Sequence, residues 1–270
     1  MKKLLVLFLM AVLFINSAVT VFASSDNYVY VSIANGDLVL AYENVSLSDA
    51  DNDGKLTIND ALYLAHEAKF EGGAEAGYAS SVGAYGLKID KLWGYENGDS
   101  FGYYLNNASA MSLGDEVKNG DHVYAFCYTD LVAWSDTYSY FNTASSKKDV
   151  GDTLSLALYS AGYDESWNPI SLPVNNANLL VNGVKQEIKT DEQGKATVTF
   201  DKIGTYVISA VSESQNLVPA VCVVTVSEKN NETIPTDPAK PGDISSYVIV
   251  MYSVIAMISI FVISRKRRSI

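Results

Sequence analysis

The sequence predicts an α+β domain, an all-β sandwich behind it and a C-terminal transmembrane helix. Three observations carry this. Residues 28–42 alternate polar and apolar side chains on both sides of Asn35-Gly36-Asp37, and apolar residues then recur at helical spacing through Ile58, Ala61, Leu62, Ala65 and Ala68, so a hairpin is followed by a helix. Residues 150–210 hold short alternating stretches separated by Gly, Asn and Asp, the pattern of a β-sandwich. Residues 244–264 are apolar almost throughout and end at Arg265-Lys266-Arg267-Arg268, which is long enough to cross a bilayer and carries the cytoplasmic basic mark.

In chain order, Met1-Lys2-Lys3, the apolar run that follows and Val21-Phe22-Ala23 form a secretory signal peptide over residues 1–23. The first domain is expected over 24–145. Within it, residues 49–60 read Asp49-Ala50-Asp51-Asn52-Asp53-Gly54-Lys55-Leu56-Thr57-Ile58-Asn59-Asp60. Acidic residues stand at positions one, three, five and twelve of a twelve-residue loop, and glycine stands at six, where the backbone must turn sharply. At an effective dielectric near 20, two carboxylates about 4 Å apart repel by about 4 kcal/mol, which a hard cation with oxygen ligands relieves. Calcium is the expected cofactor, with Asp49, Asp51, Asp53, the Lys55 carbonyl, Thr57 and Asp60 as ligands. Because the loop leads directly into the helix, calcium is expected to act as a folding element.

The loop, with Asp rather than Glu at position twelve and with Asp60-Ala61-Leu62-Tyr63-Leu64 after it, resembles a single dockerin or EF-hand repeat. Beyond the helix, Gly102-Tyr103-Tyr104-Leu105-Asn106 and Asn119-Gly120-Asp121-His122-Val123 resemble the transcobalamin-like C-terminal domain of Gram-positive surface proteins. That resemblance implies a β-grasp-like fold, a sheet wrapped against one helix, over roughly residues 28–130. It also brings in cobalamin as a ligand class.

The second domain is expected over 146–228. Thr190-Asp191-Glu192-Gln193-Gly194-Lys195-Ala196 and Gly204-Thr205-Tyr206 are similar to bacterial Ig-like surface repeats, which implies a spacer. A Pro-containing linker (229–243), the transmembrane helix (244–264) and a cytoplasmic tail (265–270) complete the chain. Lys240-Pro241-Gly242 before the apolar run is similar to a Gram-positive sorting signal. Pro241 stands where such signals place the attacked threonine, so a retained membrane anchor is expected. The protein is therefore expected to be single-pass at the cell surface, with its bulk outside.

Residues 24–264 contain 13 lysines, no arginine and all 31 acidic residues, a formal charge of −18. That excludes nucleic acid as a partner, because phosphate recognition leans on the guanidinium fork. Two cysteines, Cys127 and Cys222, exclude a disulfide framework and leave open whether they pair. Two histidines, His66 and His122, and the lack of any Gly-x-Ser-x-Gly, His-Glu-x-x-His or Cys-x-x-Cys pattern argue against an enzyme. Residues 85–141 hold 13 of the chain's 30 aromatics. Trp93, Tyr103, Tyr104, Asn106, Trp134 and Tyr138 are the candidate ligand residues there, for stacking on a sugar or a flat ring. The expected function is a non-enzymatic, calcium-stabilised adhesion module that binds an extracellular protein, glycan or small molecule. The alternative is capture of a cobalamin-like or haem-like solute for uptake.

Overall fold

Strand β1 (Tyr28–Asn35) turns at Gly36, whose φ of +71° suits glycine, into β2 (Asp37–Ser46), with Asn35 opposite Asp37 and Tyr28 opposite Ser46. The computed structural model describes residues 27–229, which lie in one compact unit. The hairpin slips register between Val31 and Ile33, and Tyr42 takes a φ of +49° there. The amide of Tyr42 donates to Ser32 Oγ at 2.9 Å, so a side chain satisfies a donor that the bulged ladder leaves over.

Helix α1 (Ile58–Lys69) starts at Thr57, whose side chain accepts the Asp60 amide while the Asp60 carboxylate accepts the Thr57 amide. Its Ile58, Ala61, Leu62 and Ala65 pack against Val29, Val31 and Ile33 of β1. A five-residue helix, α2 (Gly73–Gly77), and a small hairpin, β3 (Ala79–Gly83) and β4 (Gly86–Lys91), follow. Then come β5 (Phe101–Leu105), β6 (Ala108–Ser109) and β7 (His122–Cys127). The sheet order is β2-β1-β7-β5-β6, with β7 parallel to β1.

The remaining strands form a two-sheet β-sandwich. They are β8 (Thr137–Phe141), β9 (Ser145–Asp149), β10 (Thr153–Tyr163), β11 (Pro169–Pro173), β12 (Asn178–Val181), β13 (Val184–Lys189), β14 (Lys195–Thr199), β15 (Gly204–Val211), β16 (Leu217–Val218) and β17 (Cys222–Ser227). One sheet runs β11-β10-β8-β16, with β14 also on β10; the other runs β13-β12-β15-β17-β9. Leu154, Leu156, Leu158, Leu179, Phe200, Ile208 and Val224 fill the space between them.

Every residue of β7 is buried, because both of its faces are covered. Val123, Ala125 and Cys127 join the core beneath α1, while Tyr124 and Phe126 join Tyr138, Val218 and Val221 of the sandwich in a separate apolar cluster. Burying such side chains contributes about 1.5–3 kcal/mol each. The two halves of the unit are thus joined by an interior and not by a flexible linker.

This architecture corrects the expected fold class. About half of the described residues are in strands and 8% in helices, so the chain is predominantly β and not α+β. The single capped stretch at 58–69 has helical spacing, and nearly everything else alternates. The first sheet is also not an isolated β-grasp-like sheet on a helix, since the sandwich covers its second face. Strand β2, not a helix, leads into the 49–60 loop, so no EF-hand helix–loop–helix forms. The boundary expected at 145/146 falls earlier: β8 pairs with β10 and β16 and belongs to the sandwich. The signal peptide, most of the linker, the transmembrane helix over 244–264 and the basic tail lie outside the described residues. Among the described residues no helix is long and apolar enough to cross a membrane.

Candidate functional site

Two regions concentrate chemistry. The first is the acidic loop between β2 and α1. Its backbone is fixed from within. Asp49 accepts the amides of Asp53 (3.1 Å) and Gly54 (2.9 Å), and Asp53 accepts the amide of Lys55 (2.8 Å). Asn52 and Gly54 take φ of +61° and +88°, which lets the chain curl around its own carboxylates. One oxygen from each of Asp49, Asp51 and Asp53 lies within 4.8 Å of the others. Lys55, the nearest cation in sequence, points its ammonium to Glu116 at 3.3 Å. Among the described residues no cation pairs with the three carboxylates, and their all-oxygen donor set fits a hard divalent cation.

Thr57 and Asp60 do not complete that set in this geometry. The Asp60 side chain is wholly buried, with Oδ1 accepting the Ala50 amide (2.8 Å) and Oδ2 accepting the Thr57 amide (2.9 Å) and hydroxyl (2.8 Å). Position twelve of the loop is thus also the third residue of the helix cap, and its carboxylate is committed to backbone donors. Asn59 supplies a link that the sequence reading missed. Its amide nitrogen donates to Asp51 (3.2 Å), and its oxygen accepts from Tyr78 (2.9 Å) and Ser80 (2.8 Å), which ties the loop to β3.

The second region is aromatic. The six candidate ligand residues do not meet on one surface. Trp93 packs on His66 and Phe70, with ring centroids 5.2 Å apart in both cases, and its amide donates to His66 Nε2 at 3.0 Å. Tyr103 lies half-buried against the core beneath α1. Tyr104 stacks on Tyr138 at 3.7 Å in the contact between sheet and sandwich, where Tyr138 is buried. Asn106 closes a turn, donating to Asp121 (2.8 Å) and accepting the His122 amide (2.9 Å). Trp134 alone is well exposed, at 54%, and it leans on Tyr128.

The exposed aromatic surface lies elsewhere. Tyr163 ends the long strand β10, and Trp167 follows in the turn to β11; Trp167 is 81% exposed and its ring lies 6.1 Å from that of Tyr163. The turn is rigid because Asp164 accepts the amides of Ser166 and Asn168 (2.8 Å each) and the Asn168 side chain (2.9 Å). These donors, the Asn168 side chain foremost, hold the Asp164 carboxyl below the usual carboxylate range. Tyr163 also lines an open cleft of about 340 Å³ with Tyr104, Asn107, Met111, Tyr140 and Ile170. The available sequence signal was Tyr159, Tyr163 and Trp167 at four-residue spacing around a strand end, outside the aromatic-dense 85–141 stretch.

Both histidines are held neutral. Burial lowers His66 to about 4, against a smaller opposing pull from its 2.6 Å bond to the Leu62 carbonyl, and burial alone lowers His122 to about 4. The Ser32 hydroxyl lies 2.9 Å from His122 Nε2, and both residues are buried between sheet and sandwich. Cys127 and Cys222 are free thiols in separate cores, each pushed up to about 12 by burial, so they do not pair.

No protein-family model and no curated protein matches the chain, so neither the transcobalamin-like nor the dockerin resemblance gains support. Among solved structures the chain is similar to Ig tandems. The N-terminal four Ig domains of Dscam1 isoform 7.44 share 10% identity over 76% of this chain and 45% of that one, with a TM-score of 0.23. Those of isoform 4.44 share 12% over 55% and 32%, also at 0.23. The Bacteroides ovatus mixed-linkage glucan utilization locus protein SGBP-B, solved with a mixed-linkage heptasaccharide, shares 10% over 56% and 64%, at 0.16. The chain spans from a third to under half of the Dscam1 structures it matches. Likenesses this slight carry no argument about fold or function; the two-sheet sandwich rests on the strand pairing above.

Proposed function

We propose that the chain is a non-enzymatic cell-surface binding module that takes an extracellular glycan through the cleft at Tyr163. The observation that carries this reading is the exposed Tyr163 in the lining of that cleft, with exposed Trp167 beside it on the hydrogen-bonded turn that follows. Aromatic faces stack on the C–H faces of sugar rings. Asn107, Ser109 and Ser171 in the same lining supply neutral hydrogen-bonding groups, and among the described residues no cation lines the cleft to select for an anion. Export and envelope attachment rest on the sequence of the two chain ends.

Calcium belongs to the same reading. Asp49, Asp51, Asp53 and the Lys55 carbonyl would hold it, and its charge would offset the mutual repulsion of the three carboxylates and steady the start of α1. In a melting experiment, calcium raises the transition and Asp53→Ala removes the response; equal melts in calcium and in chelator would refute this part.

The test of the binding function is a glycan array probed with the full-length chain, followed by titration of the best hit. Trp167→Ala and Tyr163→Ala should each weaken binding at least tenfold while the melting temperature stays unchanged. Saturable glycan binding that ignores both substitutions overturns the assignment of the site. An array without a saturable hit overturns the ligand class.

A further inference from the structure

On the opposite flank of the sheet–sandwich contact lies a larger cleft, of about 680 Å³. One wall is the start of β2, with Leu38, Val39 and Ala41; the other is the outer face of the β12–β15 ladder, with Leu180, Val207 and Val211. Ile208 and Ala210 point into the sandwich core, so their neighbours Val207, Ser209 and Val211 necessarily face outward. Ser209 stands opposite Leu180 in the ladder and is only 6% exposed. Its Oγ is the one buried side-chain polar atom without a hydrogen-bond partner among the described residues. Leaving such a hydroxyl unpaired is costly, and native interiors rarely do so.

We propose that this cleft binds a small, uncharged, largely apolar molecule that carries one hydrogen-bonding group for Ser209. The volume is that of a typical small-molecule pocket. Most of the lining is aliphatic, which rewards an apolar body. Among the described residues no Lys, Arg or His lines it, and Asp37 stands in the lining, so an anionic ligand would be desolvated without a counter-charge and is disfavoured. Ser209 is part of the cleft lining, so its unpartnered hydroxyl is the group left to meet the bound molecule. This site is separate from the Tyr163 cleft and does not depend on it.

The test uses the full-length chain and a matched pair of probes, 2-naphthalenemethanol and 2-naphthoate, in ligand-observed NMR and calorimetric titrations. The alcohol should bind saturably at one per chain, and the carboxylate at least tenfold more weakly. Val211→Trp and Val39→Trp, at partly exposed positions on opposite walls, should each abolish binding of the alcohol without shifting the melting temperature. Two blocking variants keep the test decisive if one of them fails to fold. Ser209→Ala should weaken the alcohol about fivefold, the size of one neutral hydrogen bond. Trp167→Ala should leave it unchanged. Absence of saturable binding, equal binding of the two probes, or binding that survives both tryptophan substitutions overturns the proposal.

Discussion

Acidification should destabilise this protein through its two histidines well before its carboxylates titrate. An unfolded histidine takes up a proton near 6.5, whereas His66 and His122 do so only at about 4 when folded. The unfolded chain therefore binds more protons over this window. Stability is complete above about pH 6.5 and is lost as the pH falls toward 4. Between pH 7 and pH 5 each histidine should cost about 2 kcal/mol, or about 4 kcal/mol together, since they sit on opposite sides of the sheet. The chemistry at His66 explains why its burial cannot simply be relieved. Its Nδ1–H donates to the Leu62 carbonyl, and Nε2 accepts the Trp93 amide, so a second proton would set donor against donor. Urea unfolding at pH 7, 6 and 5 measures the effect, with His66→Gln and His122→Gln each expected to remove about half of the pH dependence. A loss below about 1 kcal/mol between pH 7 and 5, or an undiminished slope in the double variant, would refute the reasoning.

Other substitutions test particular contacts. A Cβ added at Gly102 would stand 2.2 Å from the Phe126 ring, so Gly102→Ala should cost about 1–3 kcal/mol in thermal or urea unfolding, and Phe126→Leu in the same chain should recover part of it. Asn59→Leu strands the Tyr78 and Ser80 hydroxyls and should cost about 2–4 kcal/mol by the same measurement. The same variant should weaken the calcium response, because Asp51 loses its donor. Neither cysteine should react with a thiol probe at pH 8 in the folded protein, and both should react in guanidinium; reaction in native buffer would reveal local opening around β7 or β17.

Local features of this fold were legible in the sequence; the long-range ones were not. The turn at Gly36 and the helix from Ile58 announce themselves through spacing and turn chemistry within about a dozen residues. The parallel pairing of β1 with β7 joins residues about 90 positions apart, and no local pattern specifies it. The strand that became β8 carries Tyr138 and Tyr140, which read as part of the first domain's aromatic richness. Its allegiance is decided by β10 and β16, which come later in the chain. One signal was available. His122-Val123-Tyr124-Ala125-Phe126-Cys127 is an unbroken run without the polar alternation of a one-sided strand, and such runs mark strands covered on both faces. Read that way, the excess of aromatics between 85 and 141 points to an internal contact between layers and not to a ligand surface. The loop shows the same ambiguity at smaller scale. A Thr-x-x-Asp spacing serves equally as the end of a calcium loop and as a helix cap, and only the position of the Ala50 and Thr57 amides shows where the Asp60 carboxylate goes.

The contact that β7 makes with the sandwich also explains how two clefts of different chemistry arise from one chain. Each cleft takes one wall from the first sheet and the other from the sandwich: Tyr104 and Met111 face Tyr163 and Ile170 on one flank, and Leu38 and Val39 face Leu180 and Val207 on the other. Apolar burial between the layers supplies attraction but little direction. Direction comes from hydrogen bonds that cross the contact. The Tyr124 hydroxyl donates to the Pro219 carbonyl, and the Tyr138 hydroxyl donates to Asn107 at 2.9 Å. These two bonds run in opposite senses, one from sheet to sandwich and one from sandwich to sheet, so a rotation of one layer on the other would break at least one of them. Tyrosines at this contact therefore do what phenylalanines could not. They bury as much ring surface and also fix the angle that keeps both clefts open.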